Sequence, residues 1–210
     1  MTRGLLFVIS GPSGAGKGTI CNAYLKEAKN TWLSVSATTR SPRVGETEGV
    51  SYFFLDRAEF ETKLVQGDFL EHAEVYGNLY GTPRSRVEEK LAQGIDVILE
   101  IDIQGALKVQ ENTEEGIFIF VLPPSMEELK NRIIKRGSET PESLIRRFES
   151  AFEEINYISK YNYAVINTTV EEALTNVRAI VQAEKCRVAR VLPNIKDLQG
   201  EKHNGKEIIG

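Results

Sequence analysis

Cysteine and histidine are scarce in this sequence of 210 residues, two of each: Cys21, Cys186, His72 and His203. Two cysteines far apart, both in segments that read as helix, exclude a disulfide framework and fit thiols in a reducing cytosol. Two isolated histidines point to neither a metal site nor a catalytic base, and His72 reads as a bystander beside Glu71. Positive charge is also in deficit. Lys and Arg total 26 against 30 Asp and Glu, a net charge of −4. That balance argues against nucleic acid or an anionic membrane as the main partner. No apolar run is long enough to span a bilayer and no cationic, apolar leader is present, so a cytoplasmic location is expected. No internal repeat occurs. What the sequence does have is 41% apolar and 27% charged residues, enough to bury a core and stay in solution. The length suits one α/β domain with small insertions.

The most informative segment lies near the start. The apolar run Leu5–Ile9 breaks into Gly11, Pro12, Ser13, Gly14, Ala15, Gly16, Lys17, Gly18 and Thr19, and a helix can run from Ile20 onward. Strand, glycine loop and lysine at a helix start make a phosphate-binding P-loop. Glycines let backbone N–H groups turn inward around a polyphosphate, and the helix N-terminus adds partial positive charge. Lys17 can then reach the β- and γ-phosphates. The motif ends in a hydroxyl residue after the lysine, but here Gly18 takes that place and Thr19 follows. The usual magnesium-binding hydroxyl is therefore missing or displaced by one residue.

Strand and helix signals then alternate. Leu5–Ile9, Val97–Ile101, Ile117–Leu122 and Ala164–Ile166 read as buried strands, with a further short strand including Leu33 to Val35. Thr82 and Pro83 read as an N-cap and first helical position, opening a helix to about Gln93. Ser125 with Glu128, and Thr169 with Glu172, match capping boxes. Val170, Leu174, Val177, Val181 and Val188 fall near helical spacing, on one core-facing side. The pattern predicts an α/β fold, a parallel sheet with helices on both faces.

Two regions depart from the alternation. Residues 36–82 hold turn residues and short apolar stretches, read as a small β-rich insertion with one helix, Asp56–Gln66. Residues 128–158 read as two helices joined at Arg136 to Pro141, a hinge candidate. Residues 191–210 are polar and read as a flexible tail. In the insertion Arg40 and Arg43 flank Ser41 and Pro42, and arginine forks suit phosphate. Glu100 and Asp102 stand at the C-terminal end of a core strand, where α/β sheets bind ligands.

Gly11–Thr19, Ser36–Arg43, Tyr80 to Thr82 and Glu100–Gly105, in this order and spacing, resemble the guanylate kinases, nucleoside-monophosphate kinases of the P-loop class. The resemblance covers about residues 4–190. It implies one domain over residues 1–190, with a core (about 1–35, 83–127 and 160–190), a GMP-binding region (about 36–82) and a lid (about 128–158). It implies ATP and GMP as substrates, ADP and GDP as products, and Mg²⁺ held mainly through ATP phosphates and water, with Thr19 the candidate protein ligand. dGMP is a further candidate acceptor. Nothing in the residues distinguishes a monomer from a homo-oligomer. By matching position, Arg40, Arg43, Tyr52 and Tyr80 would hold the GMP phosphate. Ser36, Glu71, Thr82 and Asp102 would contact or position guanine. Arg132, Arg136 and Arg147 would serve the lid or the ATP phosphates, and Asn167 would lie near adenine. Lys17, Arg40, Arg132, Arg136 and Arg147 are then the catalytic group.

Chemistry adds weight at Glu71. Guanine offers N1–H and its 2-amino group along one edge, and a carboxylate has two acceptor oxygens for them. Adenine would set a lone pair there instead. Thr82 has two readings, helix cap and base contact, which are not exclusive. A nucleoside monophosphate is already dianionic, so catalysis should consist of positioning and charge neutralisation. Three other readings compete. A monophosphate kinase of other base preference would lack the Ser36–Arg43 stretch and Glu71. A guanylate-kinase-like scaffold that binds peptides typically lacks a working P-loop. A P-loop hydrolase would need a water-positioning residue, and none is identifiable.

Overall fold

Alternate side chains of the first strand enter two different cores. The computed structural model describes residues 2–75, 77–113, 115–135 and 141–194. Strand β1 (Leu6–Ser10) is buried along its whole length. Phe7 and Ile9, with Leu5 before the strand, join one cluster, while Leu6 and Val8 join the other. A strand buried on both faces needs neighbours on both edges and helices above and below. Five parallel strands supply the edges: β2 (Thr31–Leu33), β7 (Asp96–Glu100), β1, β8 (Gly116–Leu122) and β9 (Tyr163–Ile166), in that spatial order. On one face α1 (Lys17–Glu27) contributes Ile20, Cys21 and Tyr24, and α7 (Val170–Lys185) contributes Ala173, Leu174, Val177, Ile180 and Val181. On the other, α3 (Arg84–Ala92) contributes Val87 and Leu91, and α4 (Ile103–Asn112) contributes Ala106 and Val109. The predicted parallel sheet with helices on both faces is the fold.

A second sheet is smaller and mixed. Its order is β4 (Phe53–Phe54), β3 (Ala37–Thr38), β6 (Asn78–Pro83), β5 (Phe69–Val75). Ala37, Phe60, Phe69 and Leu79 form its own core, with Phe60 of α2 (Arg57–Val65) stacked on Phe69 at 4.4 Å. The β5–β6 pairing shifts between Phe69 and His72. Leu70 there enters the main core, while Glu71 is aimed at β6. A bulge is a means of re-aiming one side chain. Two further helices, α5 (Met126–Lys135) and α6 (Pro141–Ile155), pack through Leu129, Ile133 and Ala151. A short α8 (Val188–Val191) follows α7. Among the described residues no helix is long and apolar enough to cross a membrane.

Several boundaries differ from the sequence reading. The second strand of the main sheet is Thr31–Leu33, not Leu33 to Val35. Ser34 N–H still bonds Ile98 O at 2.9 Å, but the chain must then cross to pair Ala37 with Phe53 in the other sheet. Helix α1 begins at Lys17, three residues early, because Gly16 in a left-handed conformation already caps it. Thr82 is not a helix cap: it lies in β6, Pro83 takes the cap position without a side-chain bond, and the helix starts at Arg84. Val170 and Val188 are 39% and 75% exposed, off the buried face; Val188 belongs to α8, past the end of α7 at Lys185. Cys186 follows α7 as its C-cap. Both cysteines are free. Ser125 and Thr169 do cap α5 and α7, accepting from Glu128 N–H at 3.1 Å and Glu172 N–H at 3.2 Å. The hinge candidate from Arg136 and the tail beyond Asn194 lie outside the described residues.

Candidate active site

The loop between β1 and α1 is shaped by glycines at positive φ. Gly11 has φ 140° and Gly16 φ 96°. A Cβ on Gly16 would lie 2.2 Å from Asn167 Nδ2, and one on Gly11 2.2 Å from Val121 O. Neither position accepts another residue without rebuilding the loop. Asn167, 4% exposed, donates to Ala15 O at 2.7 Å. Arg132 of α5 donates to Asn167 O at 3.0 Å and to Glu128 at 2.8 Å, with Ala15 O 3.5 Å away. Arg132 and Asn167 thus brace the outer wall of the loop. Lys17 curls back and donates to Gly11 O at 2.6 Å and Pro12 O at 3.3 Å. Burial holds its pKa below the ordinary lysine value, against the pull of Glu100, Glu154 and Asp102.

Gly18 has a reason of its own. A Cβ there would approach the Glu100 carboxylate oxygens at 3.1 and 3.4 Å. The end of β7 therefore delivers a carboxylate to the turn where the motif otherwise keeps a hydroxyl. Thr19 is exposed on α1. Among the described residues no cluster of three or more His, Cys, Asp and Glu forms a protein-only metal cage.

A second cluster is made on the small sheet. Arg40 donates through Nη2 to both carboxylate oxygens of Glu46 at 2.8 and 3.0 Å and through Nη1 to Ser41 O at 2.7 Å. Its guanidinium lies 5.5 Å from the Tyr52 ring. The Tyr52 and Tyr80 rings meet edge-on at 6.0 Å. Glu46 is itself held by Arg43 N–H at 2.7 Å. The Arg40 bond keeps the Glu46 carboxyl below the usual range. Arg43 is exposed and joins this cluster through its backbone. Thr38, fully buried, accepts from Arg40 N–H at 3.2 Å and fixes the turn. Ser36 is half-buried just before β3, and its carbonyl accepts from Phe53 N–H at 2.9 Å.

Between the two clusters lies a buried carboxylate. Glu71, 7% exposed, accepts a hydrogen bond from the Thr82 hydroxyl at 2.7 Å. Asp102 caps α4 by accepting from Gly105 N–H at 2.7 Å. A Cβ on Gly105 would press on Glu71 Oε2 at 3.1 Å and Asp102 Oδ1 at 3.4 Å. Burial raises the Glu71 pKa above the ordinary value; Thr82 opposes this and Asp102 adds to it. The bulge in β5 and the start of α4 thus bring together three residues distant in sequence, Glu71, Thr82 and Asp102. Arg136 lies outside the described residues, and Arg147 is placed only as a member of α6.

The sequence reading did not select Glu46, Gly105, Thr38 or Glu154 as site residues. Gly105 carried a legible signal, three residues after a capping Asp. Glu46 carried none, because its role exists only once Arg40 is beside it.

The guanylate kinase family model matches residues 3–184. The chain belongs to the guanylate kinase family. It is 66% identical over 193 residues to a guanylate kinase of Clostridium perfringens, covering 92% of this chain and 89% of that protein. To the guanylate kinase of Clostridium tetani it is 64% identical over 195 residues, 93% of each chain. The crystal structure of guanylate kinase from Anaplasma phagocytophilum superposes with a TM-score of 0.72 at 37% identity, covering 90% of each chain. As a member of this family the chain is a nucleoside-monophosphate kinase that uses ATP and GMP, and guanylate kinases generally work with Mg²⁺.

Proposed function

We propose that the loop at Gly11–Thr19 holds the ATP phosphates and that the pocket at Glu71, Thr82 and Asp102 reads guanine. The Arg40, Arg43, Tyr52 and Tyr80 group would hold the GMP phosphate. The observation that carries this reading is the buried Glu71 carboxylate, with one oxygen engaged by Thr82 at 2.7 Å. A neutral apolar side chain would be more stable in that position, so an acid there answers to a ligand's donors. Guanine supplies two such donors on one edge. Asp102 and Ser36 complete the base pocket from α4 and from the entry to β3.

Transfer needs positioning and neutralisation rather than a general base. Lys17 exchanges the carbonyls of Gly11 and Pro12 for phosphate oxygens. Arg40, oriented by Glu46 and the two tyrosines, meets the acceptor phosphate, and Arg43 swings in from the surface. Arg132, braced on Asn167, keeps the loop in shape and lines the nucleotide's base end, with Arg136 and Arg147 assigned to the lid. The oxygen donors at the end of β7 fit a hard cation: Glu100 would hold Mg²⁺ through water, with Asp102 beside it. When bound there, such an ion would supply positive charge to offset the negative charge of the ATP phosphates. The lid, residues 128–158, would close to exclude water. The same site suits dGMP if no contact reads the ribose hydroxyl.

The test is an ADP-release assay with ATP and each of GMP, AMP, UMP and CMP, on the parent chain and on Glu71→Gln. GMP should be strongly preferred, and the variant should lose most of that preference. Equal use of AMP and GMP by the parent would overturn the assignment of Glu71.

A further inference from the structure

Strand β5 lies at the edge of the small sheet, with β6 on one side only. Phe69 pairs with Pro83 and His72 with Gly81, which leaves Leu70 and Glu71 opposite the single residue Thr82. Such a bulge interrupts the ladder. Two side chains of α4 meet the strand there. Asn112 Nδ2 donates to Leu70 O at 3.1 Å, and Lys108 Nζ donates to His72 O. A strand repeats every two residues, so these two carbonyls point the same way, one on each side of Glu71. Asn112 also donates to Lys108 O at 3.0 Å, one turn back on its own helix. Gly105, Lys108 and Asn112 stand three and four apart and share one stripe of α4. A Cβ on Gly105 would lie 3.1 Å from Glu71 Oε2. One helix stripe therefore leaves a gap for the Glu71 side chain and puts a donor on the carbonyl before it and after it. The Lys108 charge also favours the ionised form of Glu71, against the effect of burial.

We propose that Lys108 and Asn112 are positioning residues for base recognition, which clamp β5 on both sides of Glu71 and hold its carboxylate toward Thr82 and Asp102. The inference deepens the reading of Glu71, Thr82 and Asp102 as the guanine pocket and rests on it. Register matters at this point, because a slip of one residue sends each side chain of a strand to the opposite face. Leu70, buried in the main core, sets the coarse register. Apolar burial has no direction, however. A carboxylate that reads two donors on one base edge must be placed within about 0.5 Å. Two hydrogen bonds of fixed length and direction supply that placement. Asp102 is the N-cap of α4, so the helix that aims Glu71 also presents the second acid of the pocket. The two acids keep their spacing because a single element sets both.

The test is initial-rate kinetics on the full chain with ATP and either GMP or inosine monophosphate, which keeps N1–H and lacks the 2-amino group. Lys108→Met keeps an apolar stem and removes the donor. It should raise the KM for GMP about tenfold, the order of a lost charged hydrogen bond, and lower the preference for GMP over the inosine nucleotide. The KM for ATP should hold, which also shows that the variant folds. Lys108→Arg retains a donor for His72 O and should keep most of the parent preference. Asn112 is exposed, so Asn112→Asp tests the clamp without disturbing the core. It takes the donor from Leu70 O and should act in the same direction by less. On a Glu71→Gln background Lys108→Met should add little, since its effect passes through that carboxylate. If Glu71→Gln alone leaves the preference for GMP unchanged, the base-pocket reading fails and the inference falls with it. The positioning role alone is overturned if Glu71→Gln lowers the preference while neither clamp variant does. It is equally overturned if Lys108→Met raises the KM for ATP as much as that for GMP, or acts in full on the Glu71→Gln background.

Discussion

The proposed donor and acceptor phosphate regions are built by opposite means. The P-loop comes from nine consecutive residues and works through backbone groups, with Gly11 and Gly16 held at positive φ and Asn167 and Arg132 bracing it from outside. The acceptor region comes from side chains on four separate segments: Arg40 after β3, Glu46 in the following turn, Tyr52 before β4 and Tyr80 in β6. A backbone site is specified by its local sequence, and a substitution harms it by adding atoms. A side-chain site is specified by the sheet that gathers its parts, and a substitution harms it by removing a partner. The two also differ in their internal partners. Lys17 turns to its own loop's carbonyls, whereas Arg40 is held by a dedicated carboxylate.

Breaking the donor side should have the largest effect. Lys17→Ala leaves the fold intact and removes a fixed cation from the transferring phosphoryl group, so turnover should fall by about 10²–10³-fold or more. Steady-state kinetics checks it, and the KM for GMP should move little. Near-normal turnover would erase the distinction between the two regions as drawn here.

The next effect falls on the base pocket. In Glu71→Gln one acceptor remains, but an amide N–H faces guanine's donors. Loss of a charged hydrogen bond is worth about 1.5–3 kcal/mol, so kcat/KM for GMP should drop roughly 10- to 150-fold. The KM for ATP should hold. A comparable loss toward ATP would show that Glu71 serves both sites.

Glu46→Gln sharpens the contrast further. Without the carboxylate partner Arg40 keeps its charge and its Tyr52 contact but loses its fixed orientation. The KM for GMP should rise several-fold, with the KM for ATP unchanged, as measured by initial rates at varied GMP. An unaltered KM for GMP would mean that Glu46 only screens Arg40.

The smallest effect is on pH and stability. Burial raises the Glu71 pKa in the folded state. Between the unfolded and folded values the native chain therefore binds more protons, and stability falls as pH rises through that window. The cost of the ionised group is absent below the unfolded value and full above the folded one. Glu71→Gln should accordingly melt no lower than the parent at pH 7, and any advantage should shrink toward pH 4, as read by thermal melts. In the parent, the KM for GMP should rise as pH falls, with a midpoint above that of an ordinary carboxylate. A KM for GMP that stayed flat down to pH 4 would separate Glu71 from base recognition.

Much of this was legible from residues alone where the signal was local. The loop at Gly11–Thr19, the strands at Leu5–Ile9, Val97–Ile101 and Ile117–Leu122, the helix at Asp56–Gln66, and the caps Ser125 and Thr169 all appear within a residue or two of their expected places. Each depends on neighbours a few positions away, and hydrophobic period or backbone freedom encodes it directly. Thr82 was ambiguous because a threonine before proline suits a cap as well as a pocket. The tertiary structure gives its hydroxyl to Glu71, and β6 carries it past the point where a cap would form.

By itself the sequence determined the parallel sheet and the phosphate loop, since these follow from apolar periodicity and glycine conformation, while the set of arginines and acids was implied by the resemblance to the guanylate kinases. Only the tertiary structure decided which acid meets which partner. A β-bulge turned Glu71 toward Thr82 and α4, the approach of β7 put the Glu100 carboxylate against Gly18, and a turn closed Glu46 onto Arg40. Those pairings join residues from different elements, and a charge's partner is fixed by distance in space, which the order of residues along the chain does not record.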